Sequence, residues 1–162
     1  MNAPYMGKFR ISQKFKGAAH DGLDLVGIDS KNIHCVKSGT VEVAGNNDPK
    51  GFGIYVRVKE DNSNRKWYYG HLSKVNVKVG QHVKITDVLG VEGATGNATG
   101  SHLHICVREN GDKKRYLDVC QILRIPNVEG GIYDDGYRPA KPEKKYCPTC
   151  GQEIKWCIVL VI

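Results

Sequence analysis

No stretch of the chain is apolar for long enough to cross a bilayer. The longest run, Ile158-Val159-Leu160-Val161-Ile162, closes the sequence and falls far short of the roughly 20 residues a spanning helix needs. The opening residues, MNAPYMGKFRISQKF, hold no apolar core of secretory-leader length, so a role outside the cell calls for delivery by some other agent. Helical periodicity is almost missing, and no internal repeat is visible. Lysines and arginines outnumber acids, giving a net charge of +7, which favours anionic partners. They are scattered, however, and no basic motif is interleaved with aromatics, so neither nucleic acid nor membrane is the expected partner. The six cysteines do not form a disulfide framework: Cys35, Cys106 and Cys120 stand apart, while Cys147, Cys150 and Cys157 crowd the tail. Without a leader, reduced thiols are expected.

What is present reads as strands. A chain of 162 residues suffices for one domain with a real core and at most a short appendage. Valine-, isoleucine- and tyrosine-rich stretches recur between glycine, asparagine and aspartate: TVEVAG (40–45), GIYVRVKE (53–60), KWYYGHL (66–72), KVNVKVG (74–80) and LHICVRE (103–109). GIYVRVKE and KWYYGHL flank DNSNR, a loop of hairpin length. KVNVKVG alternates as a half-buried strand should, whereas LDVCQILRI (117–125) suits one short helix or another strand. The expectation is an all-β domain over residues 1–125. A glycine-, proline- and charge-rich linker (126–145) and a Cys-rich tail (146–162) follow.

Three separated segments carry polar residues that a β core would not choose. His20 and Asp24 lie four apart in HDGLD, where the even spacing of a strand puts both on one face and Gly22 lets another group approach closely. His71 follows Tyr69 by two residues in YGHLS, which in a strand puts both on one face. His102 and His104 share a face in TGSHLHICV, a pairing that burial alone explains poorly, because each ring needs partners for two nitrogens. Histidine nitrogens and a carboxylate oxygen from distant segments are what zinc accepts, with three protein ligands leaving the fourth position open.

The order of these motifs resembles the lysostaphin/LytM-type zinc endopeptidases over residues 9–110. The resemblance rests on Ser12-Gln13-Lys14-Phe15 before His20-Asp21-Gly22-Leu23-Asp24, on Gly39-Thr40-Val41 with Ala44-Gly45, and on Gly53. It continues through Tyr69-Gly70-His71-Leu72-Ser73, Val79-Gly80-Gln81, Thr95-Gly96 and Thr99-Gly100-Ser101-His102-Leu103-His104. It implies a compact, mostly antiparallel sheet with a substrate groove over one face. It further implies one catalytic zinc held by His20, Asp24 and His104, with His102 as general base and His71 stabilising the oxyanion. The implied activity is hydrolysis of peptide bonds in bacterial peptidoglycan cross-bridges, either glycyl-glycine or D-alanyl links, by a phage-lysin-like protein made in the cytoplasm and acting on the wall after release. No H-E-x-x-H is present, so the two histidines replace a helical glutamate base.

Tyr69 and Asn97 are the candidate substrate contacts, Tyr69 being equally a packed aromatic. Many family members carry glutamate where this chain has Cys106, which is expected to be a small buried neighbour of the site. His34 and His82 fit solvated or capped histidines, and Lys113-Lys114-Arg115 a solvated hairpin tip. Cys147 and Cys150 form half of a structural zinc knuckle. Cys157 would be a third ligand and a second chain could complete the site, so the expectation is a monomer or a tail-bridged dimer. Two other functions stand beside the enzyme: a non-catalytic scaffold or activator of the same fold, and a zinc-binding interaction module built on the tail.

Overall fold

The computed structural model describes residues 3–134 and 136; the tail cysteines Cys147, Cys150 and Cys157 lie outside them. Eleven strands and one short helix are present among the described residues. An eight-stranded antiparallel sheet is built from β1 (Phe9–Gln13), β2 (Gly22–Gly27), β4 (Gly39–Asp48), β5 (Gly53–Glu60), β6 (Arg65–Gly70), β8 (His82–Val83), β10 (Leu103–Glu109) and β11 (Ile132–Tyr133), in the order β11-β1-β2-β10-β6-β5-β4-β8. A smaller sheet joins β3 (Asn32–His34), β9 (Val88–Val91) and β7 (Lys74–Val75).

Alternation along the central strands decides what each face carries. From β10, Leu103, Ile105 and Val107 enter the main apolar cluster with Leu23 and Leu25 of β2, Trp67 and Tyr69 of β6, and Val56 and Val58 of β5. Ile33 and Leu89 of the small sheet join the same cluster. Burying each such side chain contributes on the order of 1.5–3 kcal/mol. The opposite residues of β10, His104, Cys106 and Arg108, turn to the other face, where Cys106 packs with Tyr55 and Tyr68. Register aligns that face: His104 pairs with Asp24 on one side and Gly70 on the other, and Cys106 with Gly22 and Tyr68.

The expected hairpin forms, with β5 and β6 joined through a turn in which Asn62 takes φ 52°. LDVCQILRI becomes the helix α1 (Val119–Leu123), capped by the Asp118 carboxylate, which accepts from the backbone N–H of Cys120 and Gln121.

Two expectations are corrected. Only Lys74–Val75 of KVNVKVG is strand, paired with Val91 and Gly90 of β9; beyond it Val79 is exposed and Gly80 turns the chain at φ 84°. The segment expected to be a linker from 126 onward begins within the domain. Ile132–Tyr133 extends the sheet against β1, the Tyr133 ring packs on Phe9, and the Asn127 amide pairs with the Phe15 backbone.

Candidate functional site

The non-core face of β2 and β10 gathers all five predicted residues. His104, in mid-strand, lies opposite Asp24, and its Nδ1 is 2.8 Å from Asp24 Oδ1. His20 arrives differently from the expectation. Strand β2 begins only at Gly22, so His20 comes from a tight turn closed by its own N–H to Gly17, not from a continuous strand. Its Nδ1 sits 2.8 Å from the Lys14 carbonyl, and its Nε2 lies 3.1 Å from Asp24 Oδ1. Gly22 is required here: a Cβ would stand 2.5 Å from the Ile105 carbonyl and 2.7 Å from His104 Nε2.

His20, Asp24 and His104 each point one ligand atom into a space where those atoms lie within 4.8 Å of one another. Two nitrogens and an oxygen at these separations fit zinc, whose bonds of roughly 2.0–2.2 Å place neighbouring ligand atoms about 3.4 Å apart. The Lys14 carbonyl orients His20 from behind, as metal-bound histidines require. Burial alone would raise the Asp24 pKa, but hydrogen bonds with His104 and His20 outweigh it and hold the carboxyl well below the usual range. His104 titrates well above an ordinary histidine: burial opposes its charge, yet Asp21 and Asp24 prevail. The cluster is built to receive a positive charge.

His71 and His102 stand beside it with ring centroids 4.7 Å apart. His71 follows β6 at φ 63°, its N–H bonded to the Phe52 carbonyl at 2.7 Å, and its Nδ1 donates to the Thr95 carbonyl at 2.8 Å. That left-handed residue breaks the strand alternation and corrects the reading of Tyr69. Tyr69 is fully buried on the core face, and its hydroxyl accepts from the Val36 N–H at 3.2 Å, so it does not line the groove. Tyr68 is the tyrosine on the site's side. Burial lowers the His71 pKa, more than the Thr95 carbonyl raises it. His102 Nδ1 donates to the Gly100 carbonyl at 2.8 Å, and its Nε2 lies 3.7 Å from Asp24 Oδ2. Both rings thus spend Nδ1–H on backbone carbonyls, leaving each Nε2 as a lone pair.

A cleft of about 290 Å³ opens over this cluster, lined by Asp21, Phe52, His71, Asn97, His104 and Arg108 among others. Asn97 is on the wall of this cleft. His34 is buried, bonded to the Thr86 carbonyl, whereas His82 is half-exposed against Asp61. Sequence reasoning assigned nothing to Asp21, Arg108 and Glu92. Arg108 shares strand parity with His104, a signal that could have been used. Asp21 stood inside the motif, but only the turn before β2 brings it to this face. Glu92 had no local signature.

Residues 18–116 match peptidase family M23. Lysostaphin of Staphylococcus simulans is 36% identical over 88 residues, covering 54% of this chain and 18% of that protein. Peptidoglycan DD-endopeptidase ShyC of Vibrio cholerae is 34% identical over 96 residues, covering 59% of this chain and 22% of that protein. The chain thus spans less than a quarter of the length of either relative. The solved catalytic domain of the antimicrobial peptidase lysostaphin from Staphylococcus simulans superposes with a TM-score of 0.61 at 28% identity, covering 74% of this chain and 92% of that one. With motif order, sheet architecture and matched residues in agreement, the chain belongs to peptidase family M23.

Proposed function

We propose that the protein is a zinc endopeptidase that hydrolyses peptide bonds in bacterial peptidoglycan cross-bridges. The observation that carries this reading is the convergence of His20, Asp24 and His104 on one point, with His71 and His102 beside it and a cleft that His71 and His104 help to line. His20 Nε2, Asp24 Oδ1 and His104 Nδ1 would hold the zinc. When bound, it would supply a Lewis acid that polarises the scissile carbonyl and brings the pKa of water to about 7.

The protein's own groups manage protons and position. His102, its Nδ1 fixed by Gly100, presents Nε2 to take the proton of the attacking water and later return it to the leaving amine. His71, fixed by Thr95 at Nδ1, would stabilise the developing oxyanion from Nε2 after taking up a proton from solvent, a charge that burial opposes and the nearby Asp24 carboxylate favours. Asn97 on the cleft wall is a candidate partner for the substrate backbone. The positive net charge favours approach to an anionic wall after release from the cell that makes the protein. With all five positions filled, the non-catalytic scaffold is the less supported reading.

The test is release of new amino termini from purified peptidoglycans of differing cross-bridge type, comparing wild type, His102→Ala and His71→Ala at equal zinc occupancy. Release from one wall type, reduced on the order of 10²–10⁴-fold in both variants, is the expected result and identifies the bond cut. No release from any wall by the zinc-loaded protein would overturn the assignment.

A further inference from the structure

His104 has two nitrogens with different neighbours. Nδ1 lies in the ligand cluster, 2.8 Å from Asp24 Oδ1. Nε2 lies 3.6 Å from Asp21 Oδ1. For Nδ1 to offer a lone pair to a cation, the single proton of the neutral ring must sit on Nε2, and a buried N–H needs an acceptor.

Asp21 is held ready for that task. Its Oδ2 accepts two hydrogen bonds from Arg108, from Nε at 2.9 Å and Nη2 at 2.7 Å. The guanidinium is itself seated over the rings of Tyr68 and Phe52, at 4.8 Å and 5.2 Å. With Oδ2 engaged, Oδ1 is the oxygen left facing the imidazole. Shortening the contact by about 0.8 Å would give a hydrogen bond of ordinary length. The competing acceptor is Cys106, fully buried on the same face and clustered with Asp21 and His104. Thiol sulfur accepts weakly, so the carboxylate is preferred.

We propose that Asp21, clamped by Arg108, is a positioning residue that fixes the tautomer and orientation of His104 by accepting its Nε2 proton. This rests on the reading of His20, Asp24 and His104 as a zinc site. The arrangement is a carboxylate–histidine–metal relay, and it sets metal affinity without touching the metal. Because Arg108 neutralises Asp21, the relay orients the ring without adding net charge to the cleft.

The test is zinc affinity by chelator competition on the metal-free full chain, with the visible spectrum of the cobalt(II) form as an independent readout. Asp21→Ala is expected to weaken zinc roughly 10- to 100-fold and to shift the cobalt bands. Asp21→Asn, which keeps an oxygen without the charge, should fall between it and wild type, and carries the test if the alanine variant fails to fold. Asp24→Ala should abolish binding, and Cys106→Ala should leave it unchanged. Wild-type affinity and spectrum in the folded Asp21 variants, with binding still dependent on Asp24, would overturn this proposal and leave the zinc site standing. A loss confined to Cys106→Ala would make the thiol the acceptor and overturn it equally. A wild-type chain that binds no zinc would overturn both.

Discussion

Glu92 offers a demanding test of how the fold supports its site. Its side chain is fully buried, yet both oxygens are saturated. Oε1 accepts from Lys31 Nζ at 2.7 Å and Ser101 Oγ at 2.8 Å, and Oε2 from the Tyr5 hydroxyl at 2.6 Å and the Gly27 N–H at 2.8 Å. One carboxylate thereby ties the N-terminal segment, the end of β2 and the loop that delivers His102. Glu92→Gln keeps the shape and can still satisfy Gly27 with its amide oxygen. Its NH₂ then faces Lys31 and Ser101; the serine hydroxyl can rotate to accept, whereas the ammonium cannot. Lys31 is half-exposed and returns to water at small cost. Exchanging charged hydrogen bonds for neutral ones should therefore cost about 1–2 kcal/mol. Glu92→Ala also orphans the Gly27 N–H and loosens Tyr5, at about 1–3 kcal/mol for each group. At roughly 4 °C per kcal/mol for a domain of this size, the glutamine variant should melt about 4–8 °C below wild type.

The pH dependence supplies an independent check. Burial would raise the Glu92 pKa, but Lys31, Tyr5, Gly27 and Ser101 together bring it below the ordinary 4.5. A carboxyl depressed by folding contributes its full stability above the unfolded value and loses it as pH falls through the folded one. The gap in melting temperature between wild type and Glu92→Gln should therefore narrow as pH is lowered from neutral into the acid range below 4.5. Melts of both proteins by circular dichroism across this range decide the matter. A gap of less than about 1 °C at neutral pH, or one that does not change with pH, would refute the reasoning.

Gly22→Ala should force β2 and β10 apart, since its Cβ would meet the Ile105 carbonyl and His104 Nε2; a loss of about 1–3 kcal/mol in denaturant unfolding should accompany weakened zinc binding. Tyr69→Phe should lower stability by about 1–3 kcal/mol by orphaning the Val36 N–H, while kcat/KM on peptidoglycan stays unchanged; a selective fall in kcat/KM would restore a substrate role. Metal analysis should show Asp24→Ala losing the zinc of the cluster and Cys147→Ser keeping it, the reverse being the outcome expected of a tail-based module.

Much of the site was legible because its chemistry repeats at short range. His102 and His104 sit two apart before and within a strand, and the apolar alternation of LHICVRE fixes which face is core. Gly22 read correctly as a point of close approach, since a Cβ there meets the neighbouring strand. Parity failed where the backbone left the strand. His20 is delivered by a turn and His71 by a left-handed residue, so counting by twos put Tyr69 on the wrong face. Nothing local marked Ile132–Tyr133 as strand, because two residues become one only when β1 offers an edge.

The sequence by itself determined the all-β class, the long central strands and the set of five polar residues. Residue type sets ligand chemistry, and side-chain period sets which neighbours share a face. The tertiary structure decided what those residues can do. Pairing β2 with β10 set Asp24 against His104 across 80 residues of chain, and the loops holding Thr95 and Gly100 chose which nitrogen of His71 and His102 carries the proton. Asp21, Arg108 and Glu92 gained their partners the same way. A hydrogen bond depends on position to within a few tenths of an ångström, and for residues far apart in the chain that position exists only once the sheets have formed.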